Sequence, residues 1–336
     1  MKPTDFAFSL QKFFREHMAH QRCCSENTIK SYRDTFKIFI KYMNEYQFIP
    51  PHKLVLSHFT SENIASFRKY IAKTRNCSEA TRNQRMAAIF SFARFLQCDH
   101  PEILVQCQRI QCLPKQRSHN KPISYLSKNQ LAALIKAIKI DSRYGMRDKT
   151  MILLLYDSGA RVQEIADLRI QDIRLGALAQ VTLAGKGGKT RIVPLMPTTV
   201  AVLGEYLKTF SLDHADSKNP FFCNQKKGKL SRFGIAYILQ KYADKAKAKM
   251  ADFPLKVTPH TLRHSKAMHL LEAGCSEIVI QHILGHSDIK TTMVYAKANN
   301  EMIRESLKKV NKDEPGFSEN AIWQNDENIL TWLESL

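Results

Sequence analysis

Acidic residues are scarce in this chain: 31 Asp and Glu stand against 51 Lys and Arg over 336 residues, a formal charge of +20. A field of that sign and size attracts polyanions and is the footprint of a nucleic-acid binder, or else of a ribosome-associated or simply soluble basic protein. Paired cysteine motifs are absent. The eight cysteines are scattered with no C-x-x-C, which excludes zinc-ribbon and finger spacings. No run approaches the ~20 apolar residues of a membrane span, and the opening M-K-P-T-D-F-A-F-S-L lacks the continuous apolar stretch of a signal peptide. The expectation is a cytoplasmic protein with reduced thiols and no membrane partner. Tryptophan is nearly missing too. Trp323 and Trp332 are the only two, and both lie in residues 313–336, a segment with six acids and no Lys or Arg.

With 44 % hydrophobic residues a packed core is assured, and the length leaves room for two domains. The first part reads as helical. Ser25 precedes Ile29, Tyr32, Phe36, Phe39, Ile40 and Met43, the spacing of an amphipathic helix. A second helix starts near Ser78 or Thr81 and runs through Met86, Ile89, Phe90, Ala93 and Leu96. Between them, after Pro50-Pro51, a Thr60/Ser61 cap opens a shorter helix with Ile64, Phe67 and Ile71. The aromatics fall on the apolar faces and are read as core.

Residues 113–124, with two prolines, several basic side chains and no periodicity, are expected to link two domains. Beyond them Ser127 and Gln130 form a capping box, a buried helix covers Met151–Tyr156, and strands are predicted at about 169–174, 179–184 and 190–195. The last two are joined by G-K-G-G-K, too short for a P-loop. The predicted division is 1–112, 113–124 (linker), 125–312 and a distinct tail, 313–336. In the tail Ile322, Trp323, Ile329, Leu330, Trp332 and Leu333 suggest an amphipathic helix whose apolar face needs a partner, in cis or on a neighbouring protomer.

The chemistry concentrates between Pro259 and Tyr295. Thr258 and Pro259 begin a helix that carries His260 and Arg263 at i and i+3, beside a helix N-terminus that attracts phosphate. Arg161 follows Gly159, with Glu164 placed to orient its guanidinium, and arginine has the fork geometry for phosphate oxygens. Lys186 sits at the tip of the glycine-rich hairpin, and His286 lies near Tyr295. Breaking a phosphodiester this way needs cations to neutralise a pentavalent transition state, a nucleophile and a proton donor, and each has a candidate here. Singly these signals are weak: Arg161 alone is more often a surface ion pair, Lys186 a solvated turn and Tyr295 a helix-face aromatic. His260/His264 and His282/His286 also have metal-ligand spacing, but H-T-L-R-H lacks the Glu of H-E-x-x-H and would put Arg263 beside the metal.

In combination, S-G-A-R-V-Q-E, A-G-K-G-G-K-T-R-I-V-P-L, H-T-L-R-H-S-K-A-M-H-L-L-E-A-G and I-L-G-H-S-D-I-K-T-T-M-V-Y-A resemble the tyrosine recombinases of the phage-integrase and Xer type. S-E-N-T-I-K-S-Y-R-D-T-F and E-A-T-R-N-Q-R-M-A-A-I-F resemble that family's core-binding domain. The resemblance covers about residues 5–300. It implies a mainly α protein, with an N-terminal SAM-like helical bundle and an α-helical catalytic domain carrying a small antiparallel β-sheet. It also implies site-specific recombination of double-stranded DNA by a 3′-phosphotyrosyl route, needing no cofactor and no metal, with a homotetramer in synapsis on a core site of a mobile element or chromosome. Tyr295 would be the nucleophile, and Arg161 and Arg263 would hold the nonbridging oxygens. Lys186 would protonate the leaving 5′ oxygen, His260 would act as acid and base, and His286 would bind phosphate or position Tyr295. Lys30, Arg33, Arg82 and Arg85 are candidate DNA contacts in the first domain. A topoisomerase-like relaxing enzyme and a non-catalytic DNA-binding accessory protein are the alternatives. Two departures from the family pattern stand out: Ala296-Lys297 replaces the frequent T-H after the tyrosine, and the tail beyond residue 312 is long.

Overall fold

The computed structural model describes residues 3–22, 24–114, 123–185, 188–212 and 216–285, and divides into two compact units, 1–121 and 122–336. The first unit is built of helices. Helix α1 (Asp5–Lys12) is capped by Thr4 and continues as a wider π-helical segment over Phe13–Gln21. Helices α2 (Glu26–Tyr46), α3 (Ser61–Lys73) and α4 (Glu79–Asp99) begin at Ser25, Thr60 and Ser78, whose hydroxyls accept from the third residue's N–H. These are the predicted caps, and each hydroxyl satisfies a backbone donor that the helix itself cannot. A short α5 (Leu104–Gln111) closes the unit.

Its core is a knot of phenylalanines. Phe92 on α4 meets the rings of Phe6, Phe13, Phe36 and Phe59 at centroid distances of 5.7, 5.2, 5.2 and 5.3 Å, in edge-on geometries that suit the aromatic quadrupole. All five are essentially without solvent exposure. Phe92→Ala is therefore expected to destabilise this unit by about 3–5 kcal/mol, read as an earlier urea transition. Phe8→Ala, at a largely exposed position on α1, should leave that transition in place.

The second unit is also mainly helical, with α6 (Lys128–Lys136), α7 (Arg143–Ser158), α8 (Val162–Asp167), α9 (Pro197–Phe210), α10 (Arg232–Lys247), α11 (Pro259–Glu272) and α12 (Glu277–Leu284). The Ser127–Gln130 capping box forms in both directions, at 3.0 and 3.2 Å. The sheet is small and antiparallel, in the order β1 (Ile173–Arg174), β2 (Gln180–Ala184), β3 (Thr190–Pro194), with Val181 opposite Val193 and Leu183 opposite Arg191.

The first strand is shorter than expected. Over Ile170–Asp172 the chain makes a 3-10 turn, because the Asp172 carboxylate turns back to accept from the Arg169 N–H at 2.8 Å. A side chain that bonds its own backbone locally competes with the ladder, and here it wins. Helix α11 packs against α7 and α12, and Leu126 is tied to it by its N–H donating to the buried Ser265 hydroxyl at 2.8 Å.

Candidate active site

Helix α7 stops at Gly159, which adopts the left-handed conformation (φ 57°) that an L side chain resists. A Cβ here would also lie 2.7 Å from Leu284 Cδ2, so glycine is needed both for the turn and for the close approach of α12. The chain then re-enters a helix at Arg161. Glu164, at the third position of α8, accepts from the Arg161 N–H at 2.7 Å and from Arg161 Nη1 at 3.0 Å, which orients the guanidinium as expected from the spacing. Arg161 Nη2 donates to the Gly285 carbonyl at 3.2 Å, and 39 % of the side chain remains exposed.

Thr258 and Pro259 start α11 as expected, with the Thr258 hydroxyl accepting from the Thr261 N–H. His260 and Arg263 share the start of this helix but differ in burial. His260 is exposed, whereas Arg263 is 4 % exposed and reaches inward. Its Nη1 donates to the Gly159 carbonyl at 2.6 Å and its Nη2 to the Leu284 carbonyl at 2.7 Å. Positions three apart differ by about 60° around a helix, and a long side chain follows the unmet acceptors. Those acceptors are the carbonyls at the ends of α7 and α12, which lack helical donors.

Arg161 and Arg263 are thus fixed on adjacent carbonyls, Gly285 and Leu284, at the C-terminus of α12. The next residue is His286. Loss of water on its inner side, then the positive charge of Arg263 and Arg161, holds the His260 imidazole below its ordinary value. His264, one turn on, is lowered by burial and then by His260 and Arg263. The two rings are 6.4 Å apart at their centroids, and among the described residues no group of three metal-ligating side chains converges.

Lys186, His286 and Tyr295 lie outside the described residues, as do the tail and most of the expected linker. The described residues on either side of Lys186 are paired, with β2 against β3 and the Gly185 N–H donating to the Lys189 carbonyl at 2.7 Å. Of the four basic candidates in the first unit, Lys30 and Arg33 are exposed and pair with Glu26 and Asp34 on their own helix, at 3.2 and 3.1 Å. Arg82 and Arg85 are half-buried on α4, which is tied to α2 by Gln84 donating to Ser31 at 2.9 Å.

Comparison with known proteins agrees with this architecture. Residues 124–302 match the pattern described as the phage integrase family, and residues 11–99 match the phage integrase N-terminal SAM-like domain. The chain belongs to the phage integrase family. A Sinorhizobium fredii protein named integrase/recombinase y4rC is 32 % identical over all of this chain and 99 % of its own length. The tyrosine recombinase XerD of Oceanobacillus iheyensis is 32 % identical over 86 % of this chain and 93 % of its own.

Among solved structures, XerH site-specific recombinase bound to its palindromic difH substrate, in a post-cleavage complex, superposes with a TM-score of 0.66 at 21 % identity. That match covers 91 % of this chain and 85 % of the other. A lambda integrase dimer bound to a COC′ core site gives 0.62 at 16 % identity, over 84 % and 96 %. These two likenesses establish the fold, a mainly helical tyrosine recombinase architecture with a three-stranded sheet. The family member described here is an enzyme of the tyrosine recombinase type.

Spacing alone does not single out Arg191 on β3, which the structure places against Glu164. Its guanidinium forks onto Glu164, with Nη1 to Oε1 at 3.0 Å and Nη2 to Oε2 at 2.8 Å, and its Nε donates to the Ile283 carbonyl at 2.8 Å. Burial alone would raise the Glu164 carboxyl, but hydrogen bonds and charge from Arg191 and Arg161 bring it below its ordinary value. The only local hint was an arginine in the period-2 strand T-R-I-V-P, opposite Leu183.

Proposed function

We propose that this protein is a site-specific recombinase or integrase that cleaves and rejoins double-stranded DNA through a covalent 3′-phosphotyrosyl intermediate. The observation that carries the reading is the convergence of Arg161 and Arg263 on the two carbonyls that immediately precede His286. Two cations preset at one point are what a phosphoryl transition state requires, since its equatorial oxygens gain charge as the nucleophile arrives.

In the proposed reaction the Tyr295 oxygen attacks phosphorus in line, and its proton passes to His260. That imidazole is held neutral near pH 7 by its lowered pKa, so it is able to accept. The bond to the 5′ oxygen breaks as Lys186 donates a proton to it, leaving a 3′-phosphotyrosine and a free 5′-hydroxyl. His286 hydrogen-bonds the phosphate. Because the tyrosyl ester keeps the bond energy, a 5′-hydroxyl from a second duplex attacks it in the reverse sense and completes strand exchange. Lys30, Arg33, Arg82 and Arg85 would contribute phosphate contacts that set position rather than sequence. Units 1–112 and 125–312, joined by 113–124, would close on the duplex, and four protomers would assemble in synapsis with the acidic tail 313–336 docking between neighbours.

The test is to incubate the protein with DNA carrying the sequences that flank its own gene, in the presence of EDTA, and to resolve detergent-stable protein–DNA adducts. The expected result is a covalent adduct whose yield is unaffected by the chelator. Its rate should hold from pH 8 down to about 6.5, the ordinary histidine value, and fall only below it as His260 takes up its proton. An adduct that vanishes with EDTA, or a rate already falling between pH 8 and 7, would contradict the mechanism.

A further inference from the structure

Three segments of the second unit meet at one buried side chain. Arg191 leaves β3, forks onto Glu164 of α8, and donates to Ile283 near the end of α12. Gly285 lies flat against it: a Cβ there would be 2.9 Å from Arg191 Cδ and 3.1 Å from Nε. The side chains of Arg191 and Glu164 are 8 % and 4 % exposed, while that of Arg161, on the other side of the same carboxylate, is 39 % exposed.

The charges explain the arrangement. Glu164 holds Arg161 by both its backbone and its guanidinium, but an anion 3.0 Å from Arg161 would by itself cancel the positive charge that Arg161 presents to solvent. A second guanidinium bound bidentate to the same carboxylate supplies the compensating charge from the buried side. Glu164 then orients Arg161 without neutralising it. The third bond of Arg191, to the Ile283 carbonyl, ties the same unit to the helix end whose next carbonyls hold Arg263 and Arg161.

We infer that Arg191 is a positioning residue of the recombinase active site. It balances Glu164 so that Arg161 keeps its full charge for the scissile phosphate, and it sets the hairpin strand, α8 and the end of α12 in one register. Arg191 does not itself touch DNA. The inference rests on the function proposed above.

The experiment uses the full chain and a nicked duplex of the sequence that the wild-type protein enriches from a random DNA library. Rates of covalent adduct formation are compared in single-turnover conditions, with melting midpoints and duplex affinity measured in parallel. Arg191→Gln is expected to slow adduct formation about 100-fold, the size seen when one preset contact to transition-state charge is lost, with affinity for the duplex little changed. Arg191→Lys, which keeps the charge but not the fork, should stay within about tenfold of wild type. Removing the anion as well, in Glu164→Gln/Arg191→Gln, should recover at least about tenfold over Arg191→Gln, because contacting groups couple.

A merely structural arginine would show no such charge rescue. Equal losses in the Lys and Gln variants, or a double variant no faster than Arg191→Gln, overturn the inference. Should Arg191→Gln melt below the assay temperature, the Glu164→Gln background decides. There the added Arg191→Gln is expected to cost less than about threefold, and a 100-fold cost overturns the idea. If wild type itself forms no adduct, the proposed function fails and takes this inference with it. If wild type and the Arg191 variants form adduct equally well, only the inference fails.

Discussion

Tyr295→Phe is expected to bind its DNA site with wild-type affinity and to form no detectable covalent adduct, a loss of about 10⁴-fold or more in cleavage. The substitution removes one oxygen and keeps the ring, so whatever packing the side chain makes is preserved while the nucleophile is gone. Mobility-shift titration gives the affinity, and detergent-resistant adduct on a nicked duplex gives the chemistry. The two should separate completely. Loss of both would mean that the hydroxyl is needed for folding or docking. Adduct formation by the phenylalanine variant would remove Tyr295 from the reaction.

The second large effect is expected at Arg263. Arg263→Ala withdraws the donors from two buried carbonyls, Gly159 and Leu284, and deletes a cation beside the proposed phosphate site. Each hydrogen bond to a charged group contributes about 1.5–3 kcal/mol, so a stability loss of roughly 3 kcal/mol or more accompanies the catalytic one. Arg263→Lys separates the two. An ammonium retains the charge and reaches one carbonyl, but it lacks the fork that spans both. The expected result is a modest fall in melting midpoint with adduct formation slowed by about 10²–10³-fold. A lysine variant that cleaves at the wild-type rate would show that Arg263 serves only to staple α7 to α12.

These expectations rest on features of unequal legibility. The helix starts were readable because capping is local: Ser25, Thr60, Ser78, Ser127 and Thr258 each bond an N–H within three residues, and Gly159 and Pro259 mark a stop and a start by their own backbone geometry. Glu164 orienting Arg161 was readable for the same reason. The helix at Asp5–Lys12 has no period of its own to read, since eight residues hold too few apolar positions, and Phe6 becomes a core residue through tertiary packing against Phe39, Phe59 and Phe92. The first strand was overextended because alternation cannot foresee that Asp172 will bond its own turn.

The inward turn of Arg263 depends on where two other helices end, and the Arg191–Glu164 pair joins residues 27 apart on different elements. Neither has a local signature. Of the six proposed catalytic side chains the described structure brings together Arg161, His260 and Arg263. Lys186, His286 and Tyr295 enter through the motifs alone.

The claim that joins both halves of the site is chemical, and one measurement reaches it directly. The wild-type protein is allowed to cleave a nicked duplex, the adduct is denatured, nuclease- and trypsin-digested, and the peptide bearing the residual nucleotide is sequenced by mass spectrometry. The account predicts the modification on Tyr295, in the tryptic peptide Thr291–Lys297, linked to a 3′-phosphate with the 5′ end of the broken strand free. A nucleotide on any other residue, or one joined through a 5′-phosphate, would contradict it.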